Sequence, residues 1–126
     1  MKPLKSILLV EDDEVDAYIS DSILKRHFND FEVVRVKNGE EALKYLENNH
    51  PDLIILDLNM PVMNGRQFLE KSLQIRHARD IKVAVLTSSN NSSDKSECTR
   101  FGVENYFEKP LNASITTALG RMLDLY

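Results

Sequence analysis

The sequence predicts an α/β protein: a doubly wound, five-stranded parallel sheet with five helices on its two faces. Strand-length apolar runs alternate with helix-period segments along the chain. The runs Ile7-Leu8-Leu9-Val10 and Leu53-Ile54-Ile55-Leu56 lack polar alternation, as strands buried on both faces do. Five strand–helix units in 126 residues imply an open parallel sheet covered on both sides.

Residues 6–10 read as the first strand and 14–27 as a helix with Val15, Ile19, Ile23 and Leu24 on one inward face. A strand at 31–36 and a helix at 39–48, with Ala42, Leu43 and Leu46 inward, come next. Pro51 breaks the chain before the strand at 53–56. A loop through Pro61 and Asn64-Gly65 leads into a helix at 66–76 carrying Phe68, Leu69 and Leu73. Residues 82–86 form the fourth strand, 88–93 a Ser/Asn-rich loop, and 94–101 a polar helix closed by Gly102 at its C′ position. The fifth strand is 103–107. The last helix is 111–125, with Ile115, Leu119, Met122 and Leu123 aligned.

Bulk composition excludes several classes. Apolar content of 42% and charged content of 29% suit a globular domain, and residues 1–126 are expected to fold as one domain without an output domain. The net charge of −4 provides no basic stripe for nucleic acid. Apolar runs fall well short of the roughly 20 residues of a membrane helix, and the amino-terminal run stops at three acids, too soon for a signal peptide. One cysteine, Cys98, leaves no internal disulfide, which fits a reducing cytoplasm. We expect it to be a small helix-surface or half-buried residue and not a redox switch.

The chemistry gathers where strands end. Glu11-Asp12-Asp13 follow the first strand, Asp57 the third, Thr87-Ser88-Ser89 the fourth and Lys109 the fifth. In an open parallel sheet these positions share one edge, where ligands of such folds bind. Crowded carboxylates repel by roughly 4 kcal/mol at about 4 Å and an effective dielectric near 20, so a divalent cation is the economical neutraliser. Mg²⁺ takes oxygen ligands and keeps waters. Asp12 and Asp57 are candidate carboxylate ligands, with the Asn59 carbonyl a third. Glu11 is placed one step out, through a bound water, and Asp13 as a helix cap. Beside a cation, Asp57 is a candidate nucleophile toward phosphorus, with Lys109 and the Thr87 hydroxyl neutralising phosphoryl oxygens. Each group alone has a plainer reading: solvated acids, a strand-ending threonine, a surface lysine.

Taken together, Val10-Glu11-Asp12-Asp13, Asp57-Leu58-Asn59-Met60-Pro61 with Asn64-Gly65, Leu86-Thr87-Ser88 and Tyr106-Phe107-Glu108-Lys109-Pro110 resemble the receiver domain of two-component response regulators. The resemblance covers essentially the whole chain and is nearest the stand-alone, chemotaxis-type regulator. It implies a flavodoxin-like strand order 2-1-3-4-5. It also implies phosphoryl transfer to Asp57 from a histidine kinase or histidine phosphotransfer protein, with Mg²⁺ on Asp12, Asp57 and the Asn59 carbonyl, and on Glu11 through water. Lys109 would contact the phosphoryl group and Thr87 with Tyr106 would form a switch pair. Signalling would pass through the fourth helix, fifth strand and fifth helix to a protein target, from a monomer or a weak phosphorylation-dependent dimer. A cis peptide is expected at Lys109-Pro110. Two positions depart from the commoner pattern. Glu11 stands for Asp, and Asn64 for Asp before the glycine, where an Asn-Gly turn keeps the same backbone preference.

Rival readings remain. A relay intermediate would pass the phosphoryl group to a second histidine protein. A dehalogenase-type phosphatase needs an acid two residues after its nucleophile, where this chain has Asn59, so turnover on an external substrate is not expected. An FMN carrier would need a phosphate loop of backbone and hydroxyl donors, and Glu11-Asp12-Asp13 would repel one.

Overall fold

A computed structural model describes residues 5–60, 62–88, 91–103 and 105–126. The readings of residues 1–4, of Pro61 in the motif after Asp57, of Ser89 and Asn90, and of Glu104 in the fifth strand lie outside the described residues. The elements are β1 (Ser6–Val10), α1 (Glu14–His27), β2 (Glu32–Val36), α2 (Gly39–Asn48), β3 (Leu53–Leu56), α3 (Gly65–Arg79), β4 (Lys82–Thr87), α4 (Ser92–Arg100), β5 (Asn105–Glu108) and α5 (Ala113–Met122). All strand pairs are parallel, in the order β2-β1-β3-β4-β5, as the resemblance implies.

Alternation within each central strand divides the core. Leu8 and Val10 of β1, Ile54 and Leu56 of β3, and Val83 and Val85 of β4 pack with Ala42, Leu46, Phe68, Leu69 and Cys98 from α2, α3 and α4. Ile7, Leu9, Leu53, Ile55, Ala84 and Leu86 face the other way, toward Leu24 of α1 and Ile115 and Leu119 of α5. Strands clad on both sides need no polar alternation, which is why β1 and β3 are continuously apolar. Burying each large side chain contributes about 1.5–3 kcal/mol relative to exposure.

The inward face of α1 matches the predicted one at Leu24, and at Ile23, which packs against the core, but not at its first two positions. Ala17, Ser20 and Leu24 are buried, while Val15 and Ile19 are 67% and 43% exposed. The buried stripe runs through the small side chains at 17 and 20, and the residues four apart at 15 and 19 fall outside it. Asn64 is also corrected: it does not sit in an Asn-Gly turn. Its side chain caps α3 by accepting from the Gln67 N–H at 2.9 Å, and Gln67 accepts in return from the Asn64 N–H at 3.0 Å.

Helix ends account for most boundary shifts. Asn91 caps α4 and Asn112 caps α5, each starting a helix at a side-chain acceptor that periodicity does not register. Helix α3 runs on to Arg79 because Arg76 is buried. Its guanidinium bonds Ser72 Oγ and the carbonyls of Leu69 and Phe101, fastening the end of α4 to α3. Gly102, at φ +84°, closes α4 as expected: Gly102 N–H bonds Thr99 O, and Val103 N–H bonds Cys98 O. Cys98 is fully buried, not half-buried, and burial pushes its thiol up to about 11, so it is unreactive at neutral pH. Among the described residues no helix is long and apolar enough to cross a membrane.

Candidate functional site

Strand order places the functional side chains. Val10 of β1 pairs with Leu56 of β3, Leu56 with Val85 of β4, and Thr87 with Glu108 of β5. The residues following these strands therefore meet at one edge. Backbone bonds extend the ladder one residue further, from Asp57 N–H to Val10 O at 3.1 Å and from Lys109 N–H to Thr87 O at 2.8 Å. The Lys109-Pro110 peptide is cis.

Carboxylate oxygens of Glu11, Asp12 and Asp57 all lie within 4.8 Å of one another. Asp57 and Glu11 are buried and Asp12 is half-buried. Glu11 thus belongs to the same oxygen cluster as Asp12 and Asp57. Asn59 is exposed, and its N–H donates to Asp57 Oδ1 at 3.3 Å, so the chain turns tightly after the acceptor candidate. Asp13 caps α1 as expected, accepting from the Asp16 N–H at 2.9 Å.

Lys109 reaches into this cluster. Its Nζ is 2.6 Å from Glu11 Oε1, 2.9 Å from Asp16 Oδ2 and 3.2 Å from Asp57 Oδ2. Burial alone would lower its pKa, but the bonds to Glu11 and Asp16 and the charge of Asp57 hold it well above the usual lysine range. Burial pushes Glu11 up from 4.5 to about 7, against the bond from Lys109 and with the help of Asp57. The two shifts differ in origin: the carboxylates of Glu11, Asp16 and Asp57 hold the Lys109 ammonium charged, whereas at Glu11 burial outweighs the lysine bond.

A pH dependence follows for the metal-free protein. Glu11 in the folded state holds a proton that the unfolded chain releases between about 4.5 and about 7. Its contribution to stability is complete below about 4.5 and is lost as pH rises through about 7. Urea unfolding in the presence of a chelator is expected to show wild type losing stability relative to Glu11→Gln across this window. Parallel profiles would refute the assignment.

Two contributors escaped the sequence reading. Arg35, between Val34 and Val36 of β2, donates from Nε to Glu11 O at 2.8 Å and from Nη2 to Asp12 O at 3.2 Å, and pairs with Glu14 at 3.2 Å. It latches the acidic loop to the sheet. An arginine inside an otherwise valine-rich strand was the available signal. Asp16 was the other, three residues after the cap Asp13.

Thr87 is fully buried at the end of β4. Tyr106 pairs with Val85, two residues back, so Thr87 and Tyr106 share the sheet face that carries α4. Tyr106 is half-buried, with Lys95 Nζ of α4 5.5 Å from its ring centroid. A cavity of about 440 Å³ lined by Leu73, Arg76, Lys82 and Met122 holds none of these groups and opens beside the start of β4, at the opposite end of the sheet.

A model of the response regulator receiver domain matches residues 7–119. This chain belongs to that family. Response regulator Rcp1 of Synechocystis sp. is 34% identical over 117 residues, spanning 87% of this chain and 80% of the relative. The CheY-like receiver domain protein of Methanospirillum hungatei JF-1 superposes with a TM-score of 0.87 at 27% identity, covering 98% of this chain and 96% of that one. The receiver domain of sensor histidine kinase PA1611 from Pseudomonas aeruginosa PAO1 superposes with a TM-score of 0.81 at 26% identity, over 97% and 99% of the two chains; it has a magnesium ion coordinated in its active site cleft. Receiver domains are signalling proteins, not turnover enzymes, and bind Mg²⁺ in an acidic pocket. The three-carboxylate oxygen cluster of this receiver domain has the hard, anionic donor set that ion requires.

Proposed function

We propose that this receiver domain is a phosphoacceptor response regulator, phosphorylated on Asp57 by a histidine kinase or a histidine phosphotransfer protein. One observation carries the reading: Asp57 sits among Glu11 and Asp12 oxygens within 4.8 Å, with the Lys109 ammonium 3.2 Å from its Oδ2. That is a nucleophile, a cation cage and a counter-charge in one place. Asp12, Asp57 and the Asn59 carbonyl would hold Mg²⁺, with Glu11 acting through water, and the ion would supply neutralising charge for the phosphoryl oxygens. The phosphorus–nitrogen bond of the donor phosphohistidine breaks as a bond from an Asp57 carboxylate oxygen to phosphorus forms, and the imidazole departs and is reprotonated by solvent. Water later cleaves the acyl phosphate, returning Asp57 and inorganic phosphate.

The donor would approach over α1. Its first turn touches the site through Asp16, and Val15, Tyr18 and Ile19 lie exposed on its surface. An outward apolar set beside an acceptor suits a protein donor better than a small one.

Phosphorylation adds roughly −1.5 to −2 charge units at Asp57. Lys109 turns to the phosphoryl group, and the Thr87 hydroxyl donates to it. Tyr106, on the same sheet face, then repacks and alters the surface of α4, β5 and α5 for a downstream protein. Thr87→Ala is expected to keep phosphoryl uptake within a few-fold of wild type while removing the phosphorylation-dependent shift of the Tyr106 ring resonances. A shift of wild-type size in that variant would sink the switch. The protein is expected to act in the cytoplasm, without direct nucleic-acid contact.

The acceptor reading is tested by incubation with acetyl phosphate and Mg²⁺ followed by intact mass. Wild type should gain one phosphoryl group, and Asp57→Asn, or chelator, should prevent the gain. Equal gain in all three samples would overturn it.

A further inference from the structure

We propose that Asp16 is a positioning residue that gives the Lys109 ammonium a resting partner outside the cation cage, so that cation binding need not compete with the lysine. The proposal rests on the cation site described above. Lys109 contacts three carboxylates, but only Glu11 and Asp57 belong to the metal-binding cluster, whereas Asp16 does not. An ammonium held solely by Glu11 and Asp57 would occupy oxygens that a divalent cation must also use, and the two positive charges would repel. Asp16, 2.9 Å from Nζ and 43% exposed in its side chain, lets the ammonium withdraw without leaving the site.

Local structure explains why this carboxylate is available. Asp13 caps α1, so Asp16 occupies the helix position whose acidic side chain commonly turns back to the cap's N–H. Here the Asp13 N–H is taken by Glu11 Oε2 at 3.2 Å. The Asp16 side chain is released from capping and reaches across to Lys109, 93 residues away in sequence. One acidic residue thereby frees another.

The test is a double-mutant cycle read by Mg²⁺ calorimetry on the unphosphorylated protein. Lys109→Met should tighten Mg²⁺ binding by removing the competitor. Asp16→Asn should weaken it about three- to fivefold, the span that a half-exposed ion pair supports. Asp16→Glu should restore most of the loss. In the Lys109→Met background, Asp16→Asn should change nothing. An equal loss in both backgrounds would mean that Asp16 acts only as a distant charge, and would overturn the proposal; so would wild-type affinity in Asp16→Asn. Because the readout is cation affinity, loss of the acceptor reading would appear separately: the cycle would hold while acetyl phosphate left no phosphoryl group.

Discussion

Asp12→Asn is expected to lower the rate of phosphoryl uptake by about 100-fold or more, with a matching loss of Mg²⁺ affinity. The half-buried Asp12 carboxylate is one of three anionic oxygens gathered within 4.8 Å, and it lacks the lysine contact that engages Glu11 and Asp57. It is thus the carboxylate of the cluster left available to a cation. Lewis-acid stabilisation of transferring phosphoryl oxygens is worth several kcal/mol, and each 1.36 kcal/mol is about tenfold in rate. An amide keeps the shape of the side chain and removes its charge, so the fold should be retained. Stopped-flow uptake from a phosphorylated donor, with calorimetry in parallel, would measure both. Uptake within about threefold of wild type would remove Asp12 from the cation site.

Gly65→Ala is expected to cost about 1–3 kcal/mol of stability and to slow uptake as well. A Cβ at this position would lie 2.6 Å from the Asp57 carbonyl oxygen and 2.7 Å from Leu58 Cα. Both are backbone atoms, so neither can swing away as a side chain would. The same residue donates its N–H to Leu58 O at 3.0 Å, drawing the start of α3 against the segment that carries the acceptor. Relieving the overlap must move that segment, and Asp57 with it. A 1 Å displacement of a nucleophile is enough to cost about 100-fold in rate. Urea midpoints and uptake rates together check this, and a variant with wild-type values in both would show that the approach is less close than the geometry gives.

How much the sequence reveals depends on which physical signal each element uses. The sheet is legible because β1 and β3 are buried on both faces and have no choice but to be apolar. Its edge is legible for a topological reason: parallel strands deliver whatever follows them to one side, so Asp12, Asp57, Thr87 and Lys109 converge once the strands are placed. Helix α1 misleads. Its buried stripe is built on Ala17 and Ser20, residues chosen for size, while the larger Val15 and Ile19 face solvent. Hydrophobicity alone finds Ile23 and Leu24, which do meet the core, but wrongly adds Val15 and Ile19 to them. Asp16 and Arg35 are invisible to periodicity because each acts across a long sequence separation on a group it does not resemble. Asn64, Asn91 and Asn112 begin helices by accepting a backbone N–H, a local signal that moves a boundary but not the topology.

The most direct measurement is chemical identification of the phosphorylated side chain. After reaction with acetyl phosphate and Mg²⁺, borohydride reduces an aspartyl phosphate to homoserine, which peptide mass mapping locates. Homoserine should replace aspartate at position 57 and nowhere else. Homoserine at another acid, or a stable phosphoryl group on a histidine or hydroxyl with residue 57 intact, would contradict the account.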